Sequence, residues 1–419
     1  MAIKRAKVEN FRSFQNLDVN LEDFNILIGP NASGKSNFIE IFRFLRDIAN
    51  HGLGNAISNQ GGIEYITNIN IGAAKHLSMQ IVTDEKIGFG LKKDKTFFGL
   101  RSDEVIYDFA IEFAEDGKNF EIFKDSIELK CGVFELEKIS GARDQLKDKT
   151  KIGDTKISIT NRAGKLNYKL AQKKDLPIRS TDIFPPFFRD SLPARTLMIE
   201  MPVFTFVTPV ESMFVDIPIY DFDPKLPKKA IPFTAKSDLE EDGSNLALVI
   251  KRILEDERKR RKLLNLMNDF LPFVKDLRVE QFAGRYLIFT VCESYSENNY
   301  FPASLMSDGT VNVTSLIIAL YFEEDPFVII EEPERNIHPY LISRLMSMFK
   351  ETSKEKQIIV TTHNPEIVKY ADINDLLFIS RDCDGFSCIE RPFDRKEVKA
   401  FLENEIGIEE LFVQNLLGS

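Results

Sequence analysis

An apolar run, Phe24-Asn-Ile-Leu-Ile28, leads directly into Gly29-Pro-Asn31-Ala-Ser33-Gly34-Lys35-Ser36. Phe38, Ile39, Ile41, Phe42, Leu45 and Ile48 then follow at helical spacing. Strand, glycine-rich loop and helix in that order constrain the fold more than any other feature of the chain. The glycines let successive backbone N–H groups wrap phosphates without Cβ clashes. Lys35 can reach the β and γ oxygens, the Ser36 hydroxyl suits Mg²⁺, and the helix N-terminus adds its dipole. Far along the chain, Phe327-Val-Ile-Ile330 ends in Glu331-Glu332-Pro333. A carboxylate closing a buried strand beside such a loop can hold Mg²⁺ through water, which fits Glu331. Glu332, next in line, can polarise an attacking water. Such chemistry depends on placement and charge neutralisation more than on basicity.

Two further segments point the same way. Ser304-Leu-Met-Ser307-Asp-Gly309-Thr310 precedes a helical stretch and offers a second anion-binding helix start. One nucleotide does not need two cradles, so Ser307 and Gly309 are expected to complete the site of a neighbouring subunit. Thr361-Thr-His363-Asn364-Pro365 ends the next apolar run. An imidazole at that point can sense a γ-phosphate and orient water.

The rest of the chain divides by texture. Residues 1–73 read as two strands, the loop strand and the helix; 74–180 as short alternating runs split by Asp-, Lys- and Gly-rich turns, an antiparallel lobe. Pro177, Pro185, Pro186 and Pro193 mark a connector, residues 181–290 hold that connector and a helical subdomain with helical segments across 242–276, and a strand runs from Val279 to Val291. Residues 291–380 alternate helix and strand as wrapped parallel sheets do, and 381–419 form a strand and helix extension with helices expected near Arg395 and Glu409. Asp382-Cys-Asp384 reads as a turn, and sustained heptads are missing.

Bulk properties narrow the function classes. Lys+Arg 55 against Asp+Glu 65 gives a net charge of −10, so any nucleic-acid contact must be a local patch. Arg258-Lys-Arg-Arg-Lys262 is the candidate, although Glu255-Asp-Glu257 just before it favours a solvated helix face. Apolar runs fall short of the roughly 18 residues of a membrane span, and the start lacks a signal-peptide core. Cys131, Cys292, Cys383 and Cys388 have neither metal nor disulfide spacing, so a cytoplasmic, reduced protein is expected.

As a set, these motifs resemble the ABC-type ATPase heads of the SMC/RecF superfamily. Within it they are most similar to the prokaryotic AAA-family ATPases related to the overcoming-lysogenization-defect (OLD) nucleases and to ATPase subunits of anti-phage systems. Glu331-Glu-Pro-Glu334-Arg-Asn336-Ile-His338-Pro339 resembles that group's Walker B and D-loop, Ser307-Asp-Gly-Thr its signature, and Val8-Glu-Asn-Phe-Arg12-Ser-Phe14 its opening strand. The motifs cover residues 1–50 and 300–380; the stretch between matches in texture only.

The resemblance implies an α/β P-loop NTPase fold of ABC/RecF-like head type, with an inserted antiparallel β lobe and a helical subdomain. It implies ATP and Mg²⁺ as ligands. Gly29, Asn31, Ser33, Gly34, Lys35 and Ser36 would cradle the phosphates, with Ser36 and Glu331 at the metal, Glu332 as catalytic base and His363 as the switch histidine. Arg12 would be a phosphate contact. Ser307 and Gly309 would meet the partner's γ-phosphate, with Asn336 across the interface. The Walker B acid is Glu331 rather than the commoner Asp, and the Q-loop glutamine has two candidates, Gln60 and Gln80.

The segment after His363 is expected to be too short for the Toprim nuclease of the OLD proteins, and the missing heptads argue against an SMC arm. The expectation is a homodimer or higher homo-oligomer formed through an ATP sandwich. It would serve as sensor or motor of a phage-defence system, with a separate nuclease or toxin effector. A RecF-like DNA-repair ATPase is the alternative, and the nucleotide-binding subunit of a membrane transporter fits poorly.

Overall fold

The computed structural model describes residues 2–94, 96–114, 119–138, 146–172, 176–183, 192–193, 195–201, 212–233, 236, 238–296, 299–392 and 408–414. Pro185, Pro186 and the helix expected from Arg395 lie outside them; a helix at Ile408–Val413 covers the one expected near Glu409. The strands run β1 (Ile3–Phe11), β2 (Phe14–Asn20), β3 (Phe24–Ile28), β4 (Leu77–Thr83), β5 (Gly88–Lys93), β6 (Thr96–Phe113), β7 (Phe120–Lys138), β8 (Leu146–Arg162) and β9 (Lys165–Gln172). They continue with β10 (Ile219–Tyr220), β11 (Ile231–Pro232), β12 (Val274–Phe282), β13 (Tyr286–Glu293), β14 (Tyr300–Pro302), β15 (Phe327–Glu331), β16 (Gln357–Thr362), β17 (Leu376–Arg381) and β18 (Ser387–Glu390). The chain forms two compact units. One comprises Met1–Glu22, Ser36–Ile217 and Ser380–Ile389, the other Asp23–Lys35, Pro218–Ile379 and Glu390–Ser419.

The first unit is built on an antiparallel sheet in the order β2-β1-β4-β6-β7-β8-β9, with β5 also paired to β6. The alternation read in the sequence is real: Leu77, Met79, Ile81 and Thr83 of β4 are buried, and the residues between them are half-buried. The lobe expected after the phosphate-loop helix is therefore present. β1 and β2, which precede that helix in sequence, extend the same sheet through β1–β4 pairing such as Val8↔Met79.

A buried carboxyl ties this sheet to a later segment. Asp125 on β7 is 1% exposed and accepts hydrogen bonds from Met198 N–H (2.8 Å) and Asn161 Nδ2 (3.2 Å). Burial raises its pKa to about 7, against the opposing pull of those donors. A folded pKa above the unfolded value means that the folded state holds the extra proton. Stability should thus fall as pH rises from the ordinary carboxyl range towards 7, by up to about 1.4 kcal/mol per unit, and level off above it. Asp125→Asn should remove that slope. Urea unfolding between pH 5 and 8 checks this; parallel slopes in the two proteins would refute it.

The second unit holds the parallel sheet, in the order β10-β15-β16-β3-β17. All five residues of β3 and all six of β16 are buried, the pattern of strands covered on both faces. The Asp308–Tyr321 helix is buried continuously from Thr310 to Leu320 and packs in the same core as Ile26, Ile28, Val328, Ile330, Ile358 and Val360. A smaller antiparallel sheet (β11-β13-β12, with β14 on β13) packs in that core with the Leu246–Leu254 and Glu257–Phe270 helices. The single strand expected from Val279 to Val291 is instead the hairpin of β12 and β13. Ala283 (φ 50) and Gly284 (φ 67) take left-handed backbone that turns the chain there. Asp256 caps the Glu257–Phe270 helix by accepting from Arg258 N–H (2.8 Å) and Lys259 N–H (3.2 Å). Arg258, Lys259, Arg261 and Lys262 are exposed and Arg260 pairs with Asp276, the solvated-face reading of that basic run. No helix among the described residues is long and apolar enough to cross a membrane.

Candidate nucleotide site

Parallel pairing brings the two distant motifs level with each other. β3 and β16 are in register as Leu27↔Thr361 and Ile28↔Thr362, and β16 and β15 as Thr361↔Glu331. Gly29, His363 and Glu332 therefore leave three adjacent strands within one residue of the same height. This is the carboxyl edge of the sheet, where open α/β folds bind ligands. The order β15-β16-β3 could not be read locally, because β3 enters next to a strand from the far end of the chain.

The loop itself is built for close approach. A Cβ on Gly29 would lie 2.2 Å from the Ile379 carbonyl oxygen, so only glycine fits. Gly34 has φ 115 and Ala32 has φ 61, which folds the loop back on itself. Lys35 donates to the carbonyls of Gly29 (2.8 Å) and Pro30 (3.1 Å). Burial lowers its pKa, while the charges of Glu332 and Glu334 favour the ammonium. Asn31 is exposed and Ser33 buried in the same loop, and Ser36 stands exposed in the first turn of the Lys35–His51 helix. A loop closed to any side chain at Gly29, with a lysine that donates to the loop's own Gly29 and Pro30 carbonyls, fits a polyphosphate group.

Glu331 is the last residue of β15. Glu332 follows with φ 43, a left-handed backbone rare outside glycine, and its N–H donates to Thr361 O (2.9 Å). Both carboxylate oxygens of Glu332 are engaged: Oε2 accepts from Arg335 Nε (2.8 Å), and Oε1 lies 2.7 Å from His363 Nδ1. Burial works against the charge on Glu332, but Arg335 and His363 outweigh it and hold the carboxyl below its usual range. Arg335 is braced in turn by Asp221, 2.6 Å from its Nη1. Neither Arg335 nor Asp221 was picked out from the sequence; Asp221 follows the two-residue strand β10, and no local pattern announces it.

Ser307 caps the Asp308–Tyr321 helix, its Oγ accepting from Thr310 N–H (3.1 Å), and remains exposed. Asp308 pairs with Lys228, which also donates to Met306 O (2.8 Å). Gly309 has a packing role in addition to the expected anion contact. A Cβ there would sit 2.4 Å from the Asn336 carbonyl oxygen. Asn336 itself has φ 60, and Asn312 Nδ2 ties the same turn through Pro333 O (3.1 Å) and Arg335 O (2.7 Å). The segments expected to serve as signature and D-loop are thus one packed piece. Asn312, an amide buried inside a largely apolar helix, is the sequence signal for that contact.

Arg12 belongs to the first unit. It donates to Glu40 Oε2 (3.1 Å), one turn after Ser36 on the same helix, and to Gln60 Oε1. Gln80 instead donates to Asp108 within the antiparallel sheet (2.8 Å). Of the two glutamines, Gln60 is the one joined to Arg12.

Comparison with known proteins gives a consistent picture. A family model described as "AAA ATPase domain" matches residues 1–183, and one described as "AAA domain, putative AbiEii toxin, Type IV TA system" matches residues 207–369. Septu protein PtuA of Bacillus thuringiensis is 28% identical over 89 residues, 20% of this chain and 22% of that protein. Endonuclease GajA of Bacillus cereus (strain VD045) is 38% identical over 47 residues, 11% of this chain and 8% of that protein. The chain thus spans less than a quarter of the length of either relative. Among solved structures, an Smc head bound to the C-winged helix domain of ScpA matches with TM-score 0.50 at 13% identity, covering 93% of this chain and 98% of that one. At that identity the likeness is one of fold.

Proposed function

We propose, from the premise that this chain is an ABC-type, SMC-head-like ATPase of the AAA family, that it hydrolyses ATP in a pocket shared by two copies of itself. In this reading it is the sensor or motor subunit of a prokaryotic anti-phage system and drives a nuclease or toxin carried on another chain. The observation that carries the proposal is that Gly29, Glu332 and His363 leave adjacent strands within one residue of each other at the carboxyl edge of the parallel sheet. Its similarity to PtuA and GajA supports the defence setting.

Lys35 and the loop amides bind the β and γ phosphates, and Ser36 and Glu331 are the groups that would hold Mg²⁺. Bound there, the ion supplies charge neutralisation and orientation of the phosphates. Glu332, kept ionised by Arg335 and His363, accepts a hydrogen bond from the attacking water and aligns it. His363 is 49% exposed at its side chain, open to a γ-phosphate while still holding Glu332. Ser307 and Asn336 of one copy face the nucleotide of the other. This requires Ser307 to be exposed, as it is, and rigidly set, as the Lys228–Asp308 pair and the Gly309–Asn336 packing make it.

The test separates binding from assembly. Ser307→Arg should retain nucleotide affinity within about twofold and lower steady-state turnover at least about 100-fold, because the arginine blocks the second half of each pocket. Full turnover in that variant would refute the shared pocket.

A further inference from the structure

Glu334 has entered so far only as one of the charges that favour the Lys35 ammonium, yet its setting is costly. It is 7% exposed, and its Oε1 accepts a hydrogen bond from the Thr362 hydroxyl. Its Oε2 has no hydrogen-bond partner among the described residues. A buried carboxyl so poorly satisfied destabilises a fold, and an apolar residue would serve packing better. Burial raises its pKa, against the pull of the Thr362 hydroxyl.

The hydroxyl it holds lies at a sensitive point. Thr362 is fully buried at the end of β16, and its Oγ1 also accepts from Asn364 N–H at 2.9 Å. Asn364 Oδ1 in turn accepts from Glu366 N–H (2.9 Å) and starts the Pro365–Lys369 helix. The residues on either side of His363 are therefore both fastened to one hydroxyl, and that hydroxyl is fastened to Glu334. The His363 ring is half-exposed, so its 2.7 Å contact with Glu332 depends on where this backbone is held.

We propose that Glu334 is a positioning residue of the ATPase reaction: through the Thr362 hydroxyl it fixes the backbone from which His363 meets Glu332. The proposal rests on the ATPase reading above. A misplacement of about 1 Å at a reacting centre costs on the order of 100-fold in rate. Nucleotide binding, which uses the loop and Lys35, should be untouched.

Steady-state ATP hydrolysis with Mg²⁺ should show kcat lowered at least about 10-fold in Glu334→Ala and in Thr362→Val, with KM within about twofold. Glu334→Gln, whose amide oxygen still accepts from Thr362, should stay within about threefold of the parent, and Thr362→Ser should recover what Thr362→Val loses. The double variant Glu334→Ala/Thr362→Val should be no slower than either single one, since both break the same link. Should Glu334→Ala fail to fold, the Thr362 pair carries the test alone. Glu334→Gln as slow as Glu334→Ala, or Thr362→Val as fast as the parent, overturns the proposal. The His363 imidazole resonance, assigned with His363→Gln, gives a readout independent of turnover: it should shift in Thr362→Val and return in Thr362→Ser. If the parent shows no turnover, the ATPase reading fails by itself. The resonance then decides the Glu334 link, and an unmoved signal refutes it.

Discussion

Glu332→Gln should lower ATP turnover by about 10²–10³-fold while leaving nucleotide affinity within a few-fold of the parent. The amide keeps the shape of the side chain and an acceptor oxygen for Arg335, now 2.8 Å from Oε2. It loses the negative charge that Arg335 and His363 maintain by holding the carboxyl below its usual range. An attacking water then lacks an anionic acceptor, and bound nucleotide persists. Steady-state phosphate release set beside equilibrium binding of labelled ATP checks the split. Loss of affinity in step with loss of rate would place Glu332 among the binding groups instead.

Lys35→Ala should act on the other side of that split and weaken ATP binding at least about 100-fold, the scale of losing a charge-assisted contact to phosphate. Lys35 is half-buried and satisfied by the Gly29 and Pro30 carbonyls, so its ammonium is held in the loop before any ligand arrives. Truncation leaves those carbonyls facing incoming phosphates with no cation between them. Fold stability should change little, because the hydrogen bonds lost are local to the loop. Calorimetric titration with ATP decides it; retained affinity would mean that the loop amides suffice.

The sequence carried the parts of this site that depend on local chemistry. The Gly29–Ser36 loop, the strand ending at Glu331 and the cap at Ser307 each have a pattern set by sterics or by unpaired backbone donors, and each was legible. So was the antiparallel lobe, because a sheet with one solvated face alternates, as β4 does at Leu77, Met79 and Ile81. What stayed hidden depends on pairing between distant residues. Asp221 matters only because Arg335 reaches it, and Lys228 only because Asp308 does. The different settings of Gln60 and Gln80 likewise come from the fold, which pairs one with Arg12 and the other with Asp108. Gly309, which the sequence presents as a residue of the anion cradle, is also required by the Asn336 carbonyl packed against it. The hairpin at Ala283-Gly284 was missed because apolar residues on both sides of the turn read as one run.

The shared pocket is the claim on which the function rests, and sedimentation equilibrium of the Glu332→Gln protein with ATP and Mg²⁺ tests it most directly. A dimer that forms only with ATP, and that reverts to monomer when Ser307→Arg is added, is the predicted result. A particle that stays monomeric at saturating ATP, while the parent chain turns over at full rate, would contradict it.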